Sequence, residues 1–210
     1  MINKQKIKAV IFDCDGVMFD TAQANRSYYN EVLTHFNQPE LTDEQFEKVH
    51  KATVTEAIDY LLPGIEDKSV VFDYLKQAGY HRFVKYMKME SGLIELLMAL
   101  NAHGYIRGIG TNRTNTMPKV LKDFELEPYF EMVVTAADVE HPKPHPEQLH
   151  KIMERFDLEP DEVMFVGDSD YDEQAAKGAG TWFVAFKSPA LDAHLHVQSM
   201  DEIAQFFGIK

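Results

Sequence analysis

Residues 8–16 read KAVIFDCDG, and this stretch decides the fold. Its first half is an unbroken apolar run, Ala9-Val10-Ile11-Phe12, and it stops abruptly at Asp13-Cys14-Asp15-Gly16. A continuous apolar run ended by polar residues and glycine is the pattern of a strand buried on both faces. Four later runs have the same form: YIRGIGT at 105–111, MVVT at 132–135, EVMFVG at 162–167 and TWFVAF at 181–186. Between them the apolar residues shift to helical spacing, at Leu93, Leu96, Leu97 and Leu100, at Val120, Leu121 and Phe124, and at Leu149, Ile152, Met153 and Phe156. Ser199 precedes a last helical pattern, MDEIAQFF, with Glu202 placed to complete a capping box. Strands alternating with helices predict an α/β core, doubly wound and Rossmann-like, around a largely parallel sheet.

One stretch breaks the rhythm. Residues 21–89 carry helical patterns only: AQANRSYYNEVLTHF, EQFEKVHK, VTEAIDYLL and VVFDYLKQAGYHRFVKYM, punctuated by Pro39 and by Leu62-Pro63-Gly64. No strand is expected there. The pattern predicts a small helical domain at 21–89 inserted into a core made of residues 1–20 and 90–210, a normal domain size.

Composition narrows the function. The chain has 210 residues and 45% hydrophobic residues, enough for a buried core. Its 34 acidic against 21 basic residues give a formal charge of −13, which opposes nonspecific nucleic-acid binding. An anionic substrate must then be drawn in by local positive charge or by a metal. Cys14 is the single cysteine, so neither an intrachain disulfide nor a cysteine-rich zinc site is expected, and Cys14 reads as a packing residue. The nine histidines share no metal-site spacing; His141 and His145 read as shaping the loop around Lys143. No stretch approaches membrane-spanning length and the first ten residues lack a signal-peptide core, so a cytoplasmic protein, monomer or homodimer, is expected.

The polar residues gather where an α/β sheet binds its ligands, beyond the carboxyl ends of its strands. Asp13 and Asp15 end the first strand and Thr111-Asn112 the second. Lys143 follows the third, and Asp168 and Asp172 follow the fourth. Taken singly, each has an ordinary explanation: a turn, a surface lysine or a helix cap. Following successive strands, all four clusters are expected on one rim. Carboxylates crowded there repel unless a cation sits among them, and oxygen ligands without His or Cys favour Mg²⁺. A phosphoryl group would then be gripped by Lys143 and the Thr111 hydroxyl. Asp13 could attack phosphorus. Asp15, two residues on and pointing to the same side, could protonate the leaving oxygen and later deprotonate water.

These residues resemble the haloacid dehalogenase-like hydrolase superfamily, in its phosphoglycolate phosphatase and β-phosphoglucomutase branch. Phe12-Asp13-Cys14-Asp15-Gly16-Val17 with Phe19-Asp20-Thr21 resembles the first motif of that family, Thr111-Asn112 the second, Lys143-Pro144 the third, and Gly167-Asp168-Ser169 with Asp172 the fourth. The resemblance implies Asp13 as nucleophile and Asp15 as general acid/base. It implies Mg²⁺ held by the Asp13 carboxylate, the Asp15 carbonyl and Asp168, with Asp172 supporting those ligands and Asn112 helping to hold phosphate. It also implies that the insertion is a cap domain closing over the site. Relatives that release halide lack an aspartate at the position of Asp15, so the resemblance implies phosphoryl transfer. The stretch matching the usual substrate loop of the cap, His50-Lys51-Ala52-Thr53, lacks the glycine found there. Arg26, Lys51 and Thr53 are the candidates for the non-phosphate end of the substrate, or equally solvated helix positions.

The expected function is a Mg²⁺-dependent phosphatase of a small phosphorylated metabolite, such as phosphoglycolate or a sugar phosphate. A sugar phosphomutase would use the same four motifs, with a cap that excludes water. A signalling module that accepts phosphate on aspartate without turnover would need neither the insertion nor a second aspartate two residues after the first.

Overall fold

The run Ala9-Val10-Ile11-Phe12 is a strand with all four side chains buried. The computed structural model describes residues 2–50 and 52–209. In chain order the strands are β1 (Ala9–Phe12), β2 (Phe19–Asp20), β3 (Lys88–Met89), β4 (Ile106–Thr111), β5 (Met132–Thr135), β6 (Val163–Gly167), β7 (Trp182–Phe186) and β8 (Leu195–Val197). The α-helices are α1 (Ala22–His35), α2 (Asp43–Val49), α3 (Val54–Leu61), α4 (Ser69–Ala78), α5 (Leu93–Ala102), α6 (Met117–Asp123), α7 (Glu147–Phe156), α8 (Asp170–Ala179) and α9 (Met200–Phe207). The chain divides into two compact units, Met1–Asp20 with Met89–Lys210, and Thr21–Lys88.

The first unit is built on a six-stranded sheet of order β5-β4-β1-β6-β7-β8, parallel at every pairing. From β1 the chain winds outward through β4 and β5, then returns to the other side of β1 for β6, β7 and β8. That reversal puts the switch point at β1, and Asp13 is the first residue beyond it. Ile11 and Phe165 on the sheet meet Leu149 and Ile152 of α7 and Ala175 and Ala176 of α8 in one buried cluster. On the other side α5, which packs against β4, and α9 pack on each other. The Tyr105 and Phe207 rings meet there at a tilt of 53°, their centroids 4.7 Å apart.

Some details differ from the expectation. β8 was not predicted; it has three residues, Leu195-His196-Val197, too short to show a run. The two-residue strand β3 lies where none was expected, at the end of the insertion, and forms a separate two-stranded sheet with β2. At α9 the Ser199 hydroxyl caps the Glu202 N–H, but Glu202 returns its bond to Gln198 N, one residue earlier than a capping box requires.

The second unit is helical. The pattern over 70–87 does not make one helix. α4 stops at Gly79, whose φ of +66° leaves the helical region, and two short 3-10 turns follow at Tyr80–Arg82 and Val84–Tyr86. Thr42 and Thr53 open α2 and α3 with complete capping boxes on Gln45 and Glu56.

Candidate active site

Asp13 is held before its side chain does anything. Its N–H donates to Val166 O at 2.9 Å, extending the β1–β6 ladder by one bond. The chain then turns tightly, with Gly16 N bonded to Phe19 O at 2.8 Å. Gly16 has φ +77°, and a Cβ there would lie 2.0 Å from Asp168 Oδ2. Only glycine lets this backbone reach the Asp168 carboxylate.

The other strand ends are fixed by side chain to backbone bonds. Asn112 donates from Nδ2 to Lys143 O at 2.8 Å and accepts from Lys143 N at 3.0 Å, clamping the Lys143 loop to the end of β4. Gln148, fully buried on α7, donates to Thr111 O at 2.7 Å. Ser169 caps α8 and Asp172 completes its capping box. Asp172 Oδ2 accepts from Asp168 N at 3.2 Å, Ser169 N at 3.0 Å and the Ser169 hydroxyl at 2.5 Å. A Cβ on Gly167 would lie 2.3 Å from Asp172 Cβ, so the strand end has room for Asp172 only as glycine.

Lys143 is the centre of the arrangement, 4% exposed. Its Nζ is 2.7 Å from Asp13 Oδ1 and 2.6 Å from Asp172 Oδ1, and it lies 5.4 Å from the Phe165 ring centroid. Asp13, Asp168 and Asp172 present carboxylate oxygens within 4.8 Å of one another. One ammonium does not balance three such carboxylates. Burial pushes the Asp13 carboxyl up to about 7, with Asp172 and Asp15 adding to the rise and Lys143 opposing it. Burial likewise pushes Asp168 up to about 8, with Asp13 and Asp172 adding. For Lys143, burial works against the charge, but Asp13 and Asp172 outweigh it and hold the ammonium well above its usual range. The donor set is all oxygen and short of positive charge, and so has the chemistry of a hard divalent cation site.

Four sequence-predicted residues, Asp13, Lys143, Asp168 and Asp172, thus meet in one cluster, with Thr111 and Asn112 at the end of the neighbouring strand. Asp15 stands apart from the cluster: its Oδ1 accepts from Arg113 Nη2 at 2.6 Å. Arg113 also donates from Nη1 to the Thr116 hydroxyl at 3.0 Å. Sequence reasoning missed Arg113, although it lies two residues beyond Thr111 on the same rim. It also missed Gln148, a polar residue on the apolar side of α7 whose spacing to Ile152 was a signal. Cys14 is buried, and the rings of His141 and His145 lie 4.9 Å apart in the loop before α7.

In the helical unit the candidates have local partners. Arg26 pairs with Asp43 at 2.8 Å, reaches Leu41 O at 3.4 Å and lies 4.3 Å over the Phe46 ring. The Thr53 hydroxyl donates to Glu56 Oε2 at 2.7 Å and accepts from Glu56 N at 3.2 Å. Lys51 lies outside the described residues. No helix among the described residues is long and apolar enough to cross a membrane.

A family model described as haloacid dehalogenase-like hydrolase matches residues 10–186. The pyrophosphatase PpaX of Bacillus mycoides (strain KBAB4) is 30% identical over 190 residues, 86% of this chain and 83% of its own. Among solved structures, a HAD-superfamily hydrolase of subfamily IA, variant 1, from Geobacter sulfurreducens PCA superposes with a TM-score of 0.85 at 38% identity, over 97% of each chain. β-Phosphoglucomutase from Clostridium difficile superposes with a TM-score of 0.77 at 20% identity over 96% of each chain, a likeness of fold.

Proposed function

The chain belongs to the haloacid dehalogenase-like hydrolase family and is a phosphoric ester hydrolase, and from that premise we propose that it hydrolyses a small phosphorylated metabolite through an aspartyl-phosphate on Asp13. The observation that carries this reading is the buried Lys143 ammonium between Asp13 and Asp172, with Asp168 in the same cluster. A carboxylate at a sheet switch point is placed as a nucleophile when a fixed cation beside it can take up the charge of a phosphoryl group.

In the proposed cycle an Asp13 oxygen forms a bond to phosphorus as the ester P–O bond breaks, and Asp15 gives its proton to the departing alkoxide. Water then loses a proton to the Asp15 carboxylate and attacks the aspartyl-phosphate, releasing phosphate and restoring Asp13. Lys143 and the Thr111 hydroxyl hold the phosphoryl oxygens, Asn112 holds Lys143 in register, and Arg113 fixes the Asp15 carboxylate. The crowded carboxylates fit Mg²⁺, which Asp13, Asp168 and the Asp15 carbonyl would hold. Asp172, with one oxygen on Lys143 and the other on the α8 cap, supports the site without supplying a ligand. Bound Mg²⁺ would neutralise charge on the transferring group and keep Asp13 ionised.

Because a 30% identical relative is a pyrophosphatase, inorganic pyrophosphate belongs in the first substrate panel beside phosphoglycolate and sugar phosphates. Arg26, Lys51 and Thr53 are the proposed determinants of choice among them. The test is acid quenching during turnover with Mg²⁺, followed by peptide mass mapping. A phosphate adduct on the peptide containing Asp13, together with steady release of inorganic phosphate, is expected. An adduct on another residue, or turnover without any adduct in rapid quench, overturns the route. Isomerised sugar phosphate in place of released phosphate would make the enzyme a mutase.

A further inference from the structure

Gln148 is an amide where packing alone would place a hydrocarbon. It is 0% exposed, on the second position of α7 and five residues after Lys143. Its Nε2 donates to Thr111 O at 2.7 Å, whereas its Oε1 accepts from no group among the described residues. A buried amide oxygen without a donor is destabilising, and a methionine of similar length would fill the same space without one. The amide is therefore explained by what its one bond holds. With no surface of its own, Gln148 touches no ligand, and whatever it does for the rim it does through Thr111.

The Thr111 carbonyl belongs to the planar peptide that joins Thr111 to Asn112, so holding it fixes the plane on which both residues hang. The Thr111 hydroxyl accepts from Arg113 N at 3.2 Å, which leaves its own proton to donate to a phosphoryl oxygen. Asn112 grips the Lys143 backbone with two bonds, to its O at 2.8 Å and from its N at 3.0 Å. The ties are reciprocal. A side chain from the end of β4 holds the backbone of the Lys143 loop, and a side chain just beyond that loop holds the backbone at the end of β4. The loop is short of bonds of its own, because Pro142, Pro144 and Pro146 bring no N–H. Glu147, beside Gln148, braces its earlier part by accepting from Glu140 N and His141 N, both at 3.0 Å.

We propose that Gln148 is a positioning residue for phosphoryl recognition. It acts through Thr111, setting the hydroxyl of that residue and the Lys143 loop in one frame so that both meet the same phosphoryl group. The role rests on the phosphatase reading of the rim and adds to it a residue that never reaches the substrate.

The experiment compares the full chain with Gln148→Met, Thr111→Val and the double variant in Mg²⁺, with p-nitrophenyl phosphate as substrate and inorganic phosphate as inhibitor. Gln148→Met should raise KM and the phosphate inhibition constant roughly tenfold, with kcat falling less than about threefold. Thr111→Val should lose at least as much, and adding Gln148→Met to it should change nothing further, because the two act as one unit. The Tm of Gln148→Met should move by less than about 4 °C. Its gain in Tm on adding Mg²⁺ should match the wild type, since Asp13 and Asp168 follow β1 and β6 rather than β4. A wild-type measurement guards against a variant that fails to fold: the Gln148 side-chain amide signal in NMR should shift when phosphate and Mg²⁺ saturate the protein. Phosphate affinity unchanged in Gln148→Met, additive losses in the double variant, or an amide signal that phosphate does not move would each overturn this role alone. A wild type that neither binds phosphate nor hydrolyses the ester would overturn the phosphatase reading with it.

Discussion

The rim of the α/β unit and the inserted helical unit spend their polar residues differently. On the rim, Lys143 reaches Asp172, 29 residues away, and Arg113 reaches Asp15, 98 residues away. In the helical unit, Thr42 bonds Gln45 and Thr53 bonds Glu56, each three residues on. The longer pairs of that unit, Arg82 with Glu31 and Tyr80 with Asn25, tie α1 to the turns after α4 with at least one partner part-exposed. Local pairs build helix ends, each for about 1 kcal/mol. A buried cluster of ionised groups repays its desolvation poorly as a source of stability, so its presence points to chemistry. The comparison teaches that burial combined with sequence separation marks the polar groups of the proposed site.

The strongest way to break the comparison is Asp13→Asn. On the proposed route it removes the nucleophile, and a kcat loss of about 10⁴, or about 5.4 kcal/mol, is expected with the fold intact. Steady-state assay with circular dichroism as control checks this; retained activity, with deamidation excluded, would place the chemistry elsewhere. Next in size is Lys143→Met. Leaving Asp13 and Asp172 buried without their cation should cost roughly 3–5 kcal/mol in urea unfolding of the cation-free protein, and Mg²⁺ should return part of it. An unchanged midpoint would show that Lys143 is dispensable to the cluster.

A third prediction sharpens the electrostatic contrast. Asp13 and Asp168 are raised from an ordinary 3.8 to about 7 and about 8, so the folded state favours their protonated forms. Their contribution to stability is present below pH 3.8 and is lost as the pH rises through those raised values. Between about pH 4 and 8 the Tm of the cation-free protein should therefore fall on account of these groups. The Tm increase on adding Mg²⁺ should grow over the same window, because protons then compete less for the carboxylates. Asp168→Asn should flatten both trends, and a Mg²⁺ effect independent of pH would contradict the cluster as the binding site. Smallest is Thr42→Ala, which should lose about 1 kcal/mol of stability through the α2 cap while kcat/KM stays within about twofold. A large kcat/KM loss without destabilisation would show that the helical unit, too, holds functional polar groups in its caps.

What the sequence by itself determined is the set of features that local composition records. An apolar run stopped by Asp or Thr locates a buried strand and its carboxyl end at once, so β1, β4, β5 and β6 and the positions of Asp13, Thr111, Lys143, Asp168 and Asp172 on one rim were legible. Their convergence followed from one rule about parallel sheets. Tertiary structure decided everything that depends on which distant residue a side chain meets. The clamp of Asn112 on the Lys143 backbone, the bond from Gln148 to Thr111 and the hold of Arg113 on Asp15 join residues 31, 37 and 98 positions apart. Periodicity carries no information about such partners. The same limit hid the break at Gly79, where a backbone conformation rather than a hydrophobic pattern ends α4.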